Sequence, residues 1–519
     1  MTGMPLLTLL TLLPLVGGVL VMAIGSENRK AARPFSIGIS AAVLAFTLLL
    51  LSAFNSESGA FQFEEKHLWI PTLGIEYRLA VDGLGMMMLL LTSIVTLMSM
   101  VASRGVTDRP QLYFGLLLFL QAGLIGTFTA LNFFHWFVFW ELSLIPAFFL
   151  VRLWGGSQRV AAAAQFFVYT IVGSIGLLLA FLALFLGTGH VSDFTALAAL
   201  ARSGELLPSV AASLNWAGLD AGTVAALIFA GALLGFAVKV PLMPFHTWLP
   251  ATYSEAPSPI TMLLTGVMSK MGMYGFLRIL LPIFPQQLEQ WRTPLLVLAV
   301  ITIVFSASAA FVQRDIKRML AYSSINHLGY CMLAVFAVAT AGSGVPHPPL
   351  QKAAALNGAL LQIFNHGLTA AALFWFVSLI EQRSGGVRGV DDFGGLRKVA
   401  PVFCGLMGIA LFSSVGLPGL NGFVGEFLIF KGVFPLAMCS AAFAVIGLLA
   451  TAIFILTLLQ RVFNGPLNAR WSSFPDLTTR ERVLLAVPTG LMFVLGIYPQ
   501  LLLGMFNSTV VRIVNELPF

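Results

Sequence analysis

The chain has 519 residues, of which 58% are hydrophobic and only 9% charged, with a mean hydropathy of +0.93. Water-soluble domains carry about 25% charged residues, so this composition excludes a soluble enzyme and makes a bilayer the solvent. The formal net charge of +7 is therefore a matter of membrane topology, and a nucleic-acid partner is not expected.

Apolar runs of about 20 residues, enough to cross ~30 Å of hydrocarbon, recur along the whole chain. Fourteen are predicted, near 4–24, 34–54, 83–103, 111–131, 133–151, 160–187, 221–249, 258–281, 293–312, 319–339, 352–380, 400–433, 437–461 and 483–506. Backbone polar groups in lipid must be satisfied internally, so each run reads as a helix. The expected fold is an all-α polytopic membrane protein, a single membrane domain over 1–519. The first run ends in GSENRK with no small-residue cleavage pattern before it and reads as a retained span.

With Lys239 and Lys270 set aside inside spans, 18 of the remaining 26 Lys and Arg fall in odd-numbered loops and 8 in even-numbered loops or the tail. The positive-inside rule then makes the odd loops cytoplasmic and puts both termini on the opposite side. Three cysteines, Cys331, Cys404 and Cys439, sit in apolar runs without C-x-x-C spacing, and no glycine-rich phosphate loop follows a strand. No redox centre, metal site or nucleotide site is expected in this chain. Met86, Met87 and Met88 read as packing filler.

Chemistry must then reside in the ionisable groups inside the spans: Glu141, Lys239, Lys270 and Glu426, joined by His327 and His366. A charge at the bilayer centre costs about 2.5–3.5 kcal/mol, which calls for a partner or a function. Two acids, two amines and two imidazoles suggest proton handling. Each could instead be a satisfied core group in a passive scaffold, and the histidines could be haem ligands, although neither helix carries a second histidine to pair with.

Two runs are interrupted beside such a group. Lys239 precedes PLMP, with Pro241, in the seventh, and Glu426 follows GLPGLNG, with Pro418, in the twelfth. Each is the fourth member of a five-helix set, and the two sets, 111–281 and 293–463, start an odd number of spans apart. Two inverted repeats with a broken helix in each are the expected architecture. A break frees backbone groups that water must satisfy, which makes a hydrated pocket for proton exchange. His246 reads as an accessory residue near a span end, and His135 with Trp136 as interfacial anchors.

The segments FVFWELSLIP (137–146), KVPLMPFHTWLPATYSEAPSPITMLLTGVMSKMGMYGFLRI (239–279), RDIKRMLAYSSINHLGY (314–330), IFNHGLTAAALFW (363–375) and LPGLNGFVGEFLIFKG (417–432) resemble the antiporter-like membrane subunits of respiratory complex I. The resemblance covers the chain from about the third span to the thirteenth. It implies a proton-translocating role in NADH:quinone oxidoreductase. Glu141 and Lys239 would be a controlling ion pair, Lys270 a central relay, His327 and His366 further relays and Glu426 the terminal site. Many family members have lysine at the last position, and the glutamate here resembles one subtype.

The family commonly has a lysine where this chain has Gln165, an accessory position that can orient water but cannot carry a proton. The resemblance also implies NADH, FMN, iron–sulfur clusters and quinone in partner subunits, with L-like and N-like antiporter subunits, small membrane subunits and lipid as neighbours. A bacterial cytoplasmic membrane is the implied location. A multisubunit cation/proton antiporter or membrane-bound hydrogenase would share the fold. The loop 339–352 is longer than expected, with His347 at its surface.

Overall fold

The computed structural model describes residues 4–214, 218–342 and 344–519. The chain opens with α1 (Leu6–Met22) and α2 (Ala32–Ala53), then a hairpin of β1 (Gln62–Ile70) and β2 (Ile75–Val81). Next come α3 (Gly83–Ala102), α4 (Pro110–Thr129), α5 (Phe133–Trp154), α6 (Arg159–Gly187) and two short helices, α7 (Phe194–Arg202) and α8 (Leu206–Leu214). The first interrupted run is α9 (Ala221–Lys239) and α10 (Trp248–Glu255). Beyond it lie α11 (Ser258–Leu263), α12 (Ser269–Gly275) and α13 (Leu281–Ile283), joined into one rod by π-helical turns at Leu264–Met268 and Phe276–Leu280.

The second half holds α14 (Pro285–Gln290), α15 (Arg292–Phe311), α16 (Ile316–Ala337) and α17 (Pro348–Ser384). The second interrupted run is α18 (Pro401–Val415) and α19 (Asn421–Leu436), followed by α20 (Met438–Phe463), α21 (Thr479–Ile497) and α22 (Gln500–Glu516). Every predicted run coincides with helix, but the fourteenth, expected as one span over 483–506, is split between α21 and α22. Among the described residues, ten helices are long and apolar enough to cross a membrane, or eleven if α21 and α22, bent by 63°, count as one span.

The all-α expectation needs correcting. β1 and β2 pair antiparallel, with Glu65 opposite Leu79 and His67 opposite Tyr77. Ile75–Val81 alternates apolar and polar residues from Ile75 to Leu79, a strand period, whereas Gln62–Ile70 carries no such alternation, and neither segment is a 20-residue apolar run. The loop after α16 spans 338–347 rather than 339–352, because Pro348 starts a helix that absorbs residues 348–352. His347 is exposed, as expected.

Burial separates a central core from a lipid-facing rim. The most apolar windows of α17 and of the α11–α13 rod are fully buried, whereas those of α2 and α20 are mostly exposed. Glycines let the two central rods touch. A Cβ on Gly367 of α17 would lie 2.6 Å from the Gly266 carbonyl oxygen in the π turn. That close approach sets the two residues on which the site is built, Lys270 and His366, against each other.

Candidate functional site

Lys270 stands between the two π turns, one turn after the first. A π turn shifts the hydrogen-bond register and leaves a carbonyl available, and such turns recur at functional sites. The Lys270 ammonium donates to the Thr265 carbonyl, lies 3.4 Å from Ser269 Oγ and meets His366 Nδ1 at 2.8 Å. The residue is completely buried. From His366 the row continues sideways, because the His366 and His327 rings lie 5.0 Å apart between centroids. His327 Nδ1 is 2.9 Å from Glu426 Oε1 and its Nε2 is 3.1 Å from Ser414 Oγ. Gln362 donates to the same Glu426 oxygen at 3.0 Å.

Four sequence-predicted groups thus form one row, Lys270, His366, His327 and Glu426, across α12, α17, α16 and α19. Glu426 hangs beside the second break. There Gly416 ends α18 at φ +82°, a left-handed conformation that suits glycine, and a Cβ on it would lie 3.0 Å from Glu426 Oε2. Ser413 binds Asn421 across the gap between α18 and α19, and Thr369 and Asn365 bind it from α17. Pro418 is exposed in the connecting turn.

The first break is built differently. The seventh run was expected to continue to 249, but α9 ends at Lys239 itself. Pro241 cannot donate to the helix ladder, so the chain turns there. The Ala237 carbonyl is taken by the Leu242 amide at 2.9 Å, and the Val238 carbonyl by Trp248 Nε1 at 3.0 Å. Thr302 of α15 holds the Met243 amide at 3.1 Å, so the turn rests on the other half of the protein.

Lys239 is buried with its ammonium 4.1 Å from the centroid of the Trp140 ring. Trp140 is fixed by a 3.0 Å hydrogen bond to Ser174 and a stack on Trp136. Glu141 is the neighbouring carboxylate, yet no ion pair within 4.0 Å joins it to Lys239 among the described residues. Its Oε1 is buried without a hydrogen-bond partner among the described residues. In this structure the Lys239 ammonium therefore rests on an indole face with the Glu141 carboxylate drawn back, a cation–π arrangement favourable by about 0.5–2 kcal/mol.

Of the accessory residues, His246 is buried with its ring against Phe305 and its Nδ1 unpartnered. Gln165 is half-buried on α6, and among the described residues no hydrogen bond links it to the row. His135 and Trp136 are not interfacial anchors. Both are buried, Trp136 completely, in an aromatic cluster with Phe133, Phe139 and Trp140.

Several polar partners escaped the sequence reading. Gln362 lies four residues before His366, hence on the same helix face, and that spacing was available as a signal. Ser414, Thr265 and Ser324 are uncharged and common in membrane helices, so nothing marked them out. Arg278, counted with a loop, is buried and pairs with Asp82, which also binds Arg512 at 2.9 Å.

The row can pass a proton by alternating donors and acceptors, since an amine, two imidazoles and a carboxylate each exist in two protonation states. A family model described as "NADH:quinone oxidoreductase/Mrp antiporter, TM" matches residues 130–453, which contain every one of these groups. The chain belongs to this family. Subunit M of the NADH-quinone oxidoreductase of Rhodobacter capsulatus is 34% identical over 98% of this chain and 96% of its own length. A chain 4 of the NAD(P)H-quinone oxidoreductase of Nostoc sp. is 32% identical over 98% and 91%.

Among solved structures, respiratory complex I from Thermus thermophilus contains a chain that superposes with a TM-score of 0.82 at 27% identity, covering 98% of this chain and 99% of that one. The Mrp complex from Dietzia sp. shares the fold, with a TM-score of 0.81 at 20% identity over 99% of both chains. The family likeness thus extends past the matched region to both ends of the fold.

Proposed function

We propose that this chain is the M-type membrane-arm subunit of a NADH:quinone oxidoreductase and moves protons along the row Lys270, His366, His327 and Glu426. The observation that supports the reading is that these four buried groups line up across four helices, Lys270 bonded to His366 and His327 to Glu426, with the two imidazole rings 5.0 Å apart between centroids. Glu141 and Lys239 act as its gate. When the carboxylate swings onto the ammonium it holds the proton there, and when it withdraws the indole face alone retains the cation.

In this reading all fourteen helical runs cross the membrane, both termini lie opposite the cytoplasm, and residues 111–281 and 293–463 are inverted repeats. Matching packing supports the repeats: α4 lies on α5 as α15 lies on α16, and α5 lies on α6 as α16 lies on α17. One proton moved against 100 mV requires ~2.3 kcal/mol. That energy comes from partner subunits holding FMN, iron–sulfur clusters and quinone, and this chain translocates only within the complex beside its L-like and N-like neighbours.

The test is Lys270→Ala in the assembled complex, reconstituted in liposomes, with NADH:quinone electron transfer and proton uptake measured separately. Proton uptake falling about ten-fold or more in an intact complex supports the reading. Full uptake overturns it.

A further inference from the structure

Away from the row, the rim carries an apolar cleft of about 340 Å³ between α2, α3 and α21, floored by Trp375 of α17. Its walls are aliphatic, including Leu44 and Leu48 of α2, Leu97 and Val101 of α3 and Val487 of α21. Leu48 and Val487 remain half-exposed or more, so the cleft opens outward. One end of it is cationic. Arg33 is the second residue of α2, Arg104 lies two residues past the end of α3, and Arg480 is the second residue of α21. The three helix ends therefore gather their arginines at one membrane surface, and Arg33 lies within the electrostatic reach of both Arg104 and Arg480.

These charges are poorly compensated. Arg33 donates to the Ser103 and Val101 carbonyls at 3.1 and 2.9 Å, which fixes its guanidinium without neutralising it. Glu481 is shared by Arg383, at 2.7 Å, and Arg104, at 3.9 Å. Asp476, the next carboxylate, faces Arg482 and caps the Val402 and Phe403 amides. Arg104 Nη2 is buried with no partner, and Arg480 makes no ion pair among the described residues. With Asp476 facing Arg482, Glu481 is the carboxylate left to Arg104 and Arg383, while Arg33 and Arg480 make no ion pair among the described residues; that excess of positive charge attracts an anion, and the apolar trough beside it suits hydrocarbon.

We infer that the α2–α3–α21 cleft binds one anionic phospholipid, its phosphate against Arg33, Arg104 and Arg480 and an acyl chain along the trough. A transmembrane helix of a neighbouring subunit would fill the trough but would leave the arginine cluster uncompensated. The lipid meets both demands.

The experiment uses the intact complex in phosphatidylcholine nanodiscs with a trace of either of two probes carrying the same photoactivatable acyl chain, one phosphatidylglycerol and one phosphatidylcholine. Cross-linked peptides are mapped by mass spectrometry. The phosphatidylglycerol probe is expected to label α2, α3 and α21 preferentially. Arg480→Gln, at an exposed and unpaired residue, should lower that labelling about five-fold with electron transfer unchanged. Leu97→Trp, which fills the trough, should abolish labelling there by both probes. Equal labelling by the two probes, or an Arg480→Gln complex labelled as strongly as wild type, overturns the headgroup site. A cleft left unlabelled in the intact complex overturns the lipid and favours a covering subunit.

Discussion

The two interrupted helices do the same mechanical thing and leave their ionisable groups in opposite conditions. At the second break Glu426 is bonded to His327 and Gln362, and the row behind it runs on to Lys270. At the first, Lys239 sits on an indole and Glu141 keeps an unpartnered oxygen. Break chemistry accounts for part of the contrast. The glycine-rich turn at 416–422 lets α18 and α19 close around a serine, a threonine and two asparagines, whereas the proline-rich turn after Lys239 satisfies its carbonyls with Trp248 and a backbone amide. In the proposed function the difference separates the roles: the bonded group at the second break belongs to the row that runs on to Lys270, and the unpartnered pair at the first break is its switch. A switch must have somewhere to move.

That contrast can be broken by substitution. The largest effect is expected from Glu426→Gln, which preserves size and one hydrogen bond to His327 but removes the terminal proton site. Proton uptake by reconstituted complex should fall about ten-fold or more. Glu141→Gln removes the gate's carboxylate while leaving the row intact, and several-fold slower uptake is expected, with complex assembly, followed by native electrophoresis, unchanged. Trp140→Leu takes away the cation–π support of Lys239, and uptake should drop by about two- to five-fold. Gln165→Lys should alter uptake least, because the side chain is not joined to the row; a large gain in rate would show that the first half lacks a carrier at that position.

Much of this was legible in the sequence because lipid makes charge conspicuous. Glu141, Lys239, Lys270 and Glu426 stood out against apolar runs by their cost alone, and the Pro and Gly clusters marked both breaks. The order from Lys270 through the histidines to Glu426 was implied by the family resemblance alone; which histidine meets Lys270 was not legible, since that depends on Gly266 and Gly367 letting two rods touch, and no one-dimensional pattern encodes which glycines meet. Which partner Lys239 takes was not legible for a similar reason, as adjacency in a helix bundle leaves the rotamers free to choose between a carboxylate and an aromatic face. The hairpin at 62–81 was overlooked because β1 carries no strand period and the short alternation in β2 is invisible to a search for 20-residue apolar runs. Trp136 was misplaced because aromatic residues near a span end serve equally as anchors and as core.

The central claim is that Lys270 and Glu426 serve one conductor joined by His366 and His327. Residues that act as a unit are non-additive when removed together. The most direct measurement is therefore a double-mutant cycle on proton uptake, comparing Lys270→Ala, Glu426→Gln and the double variant in intact reconstituted complex. A double variant no slower than the slower single variant is the predicted result. Losses that multiply would mean that the two groups serve separate paths, and the row would be a coincidence of packing.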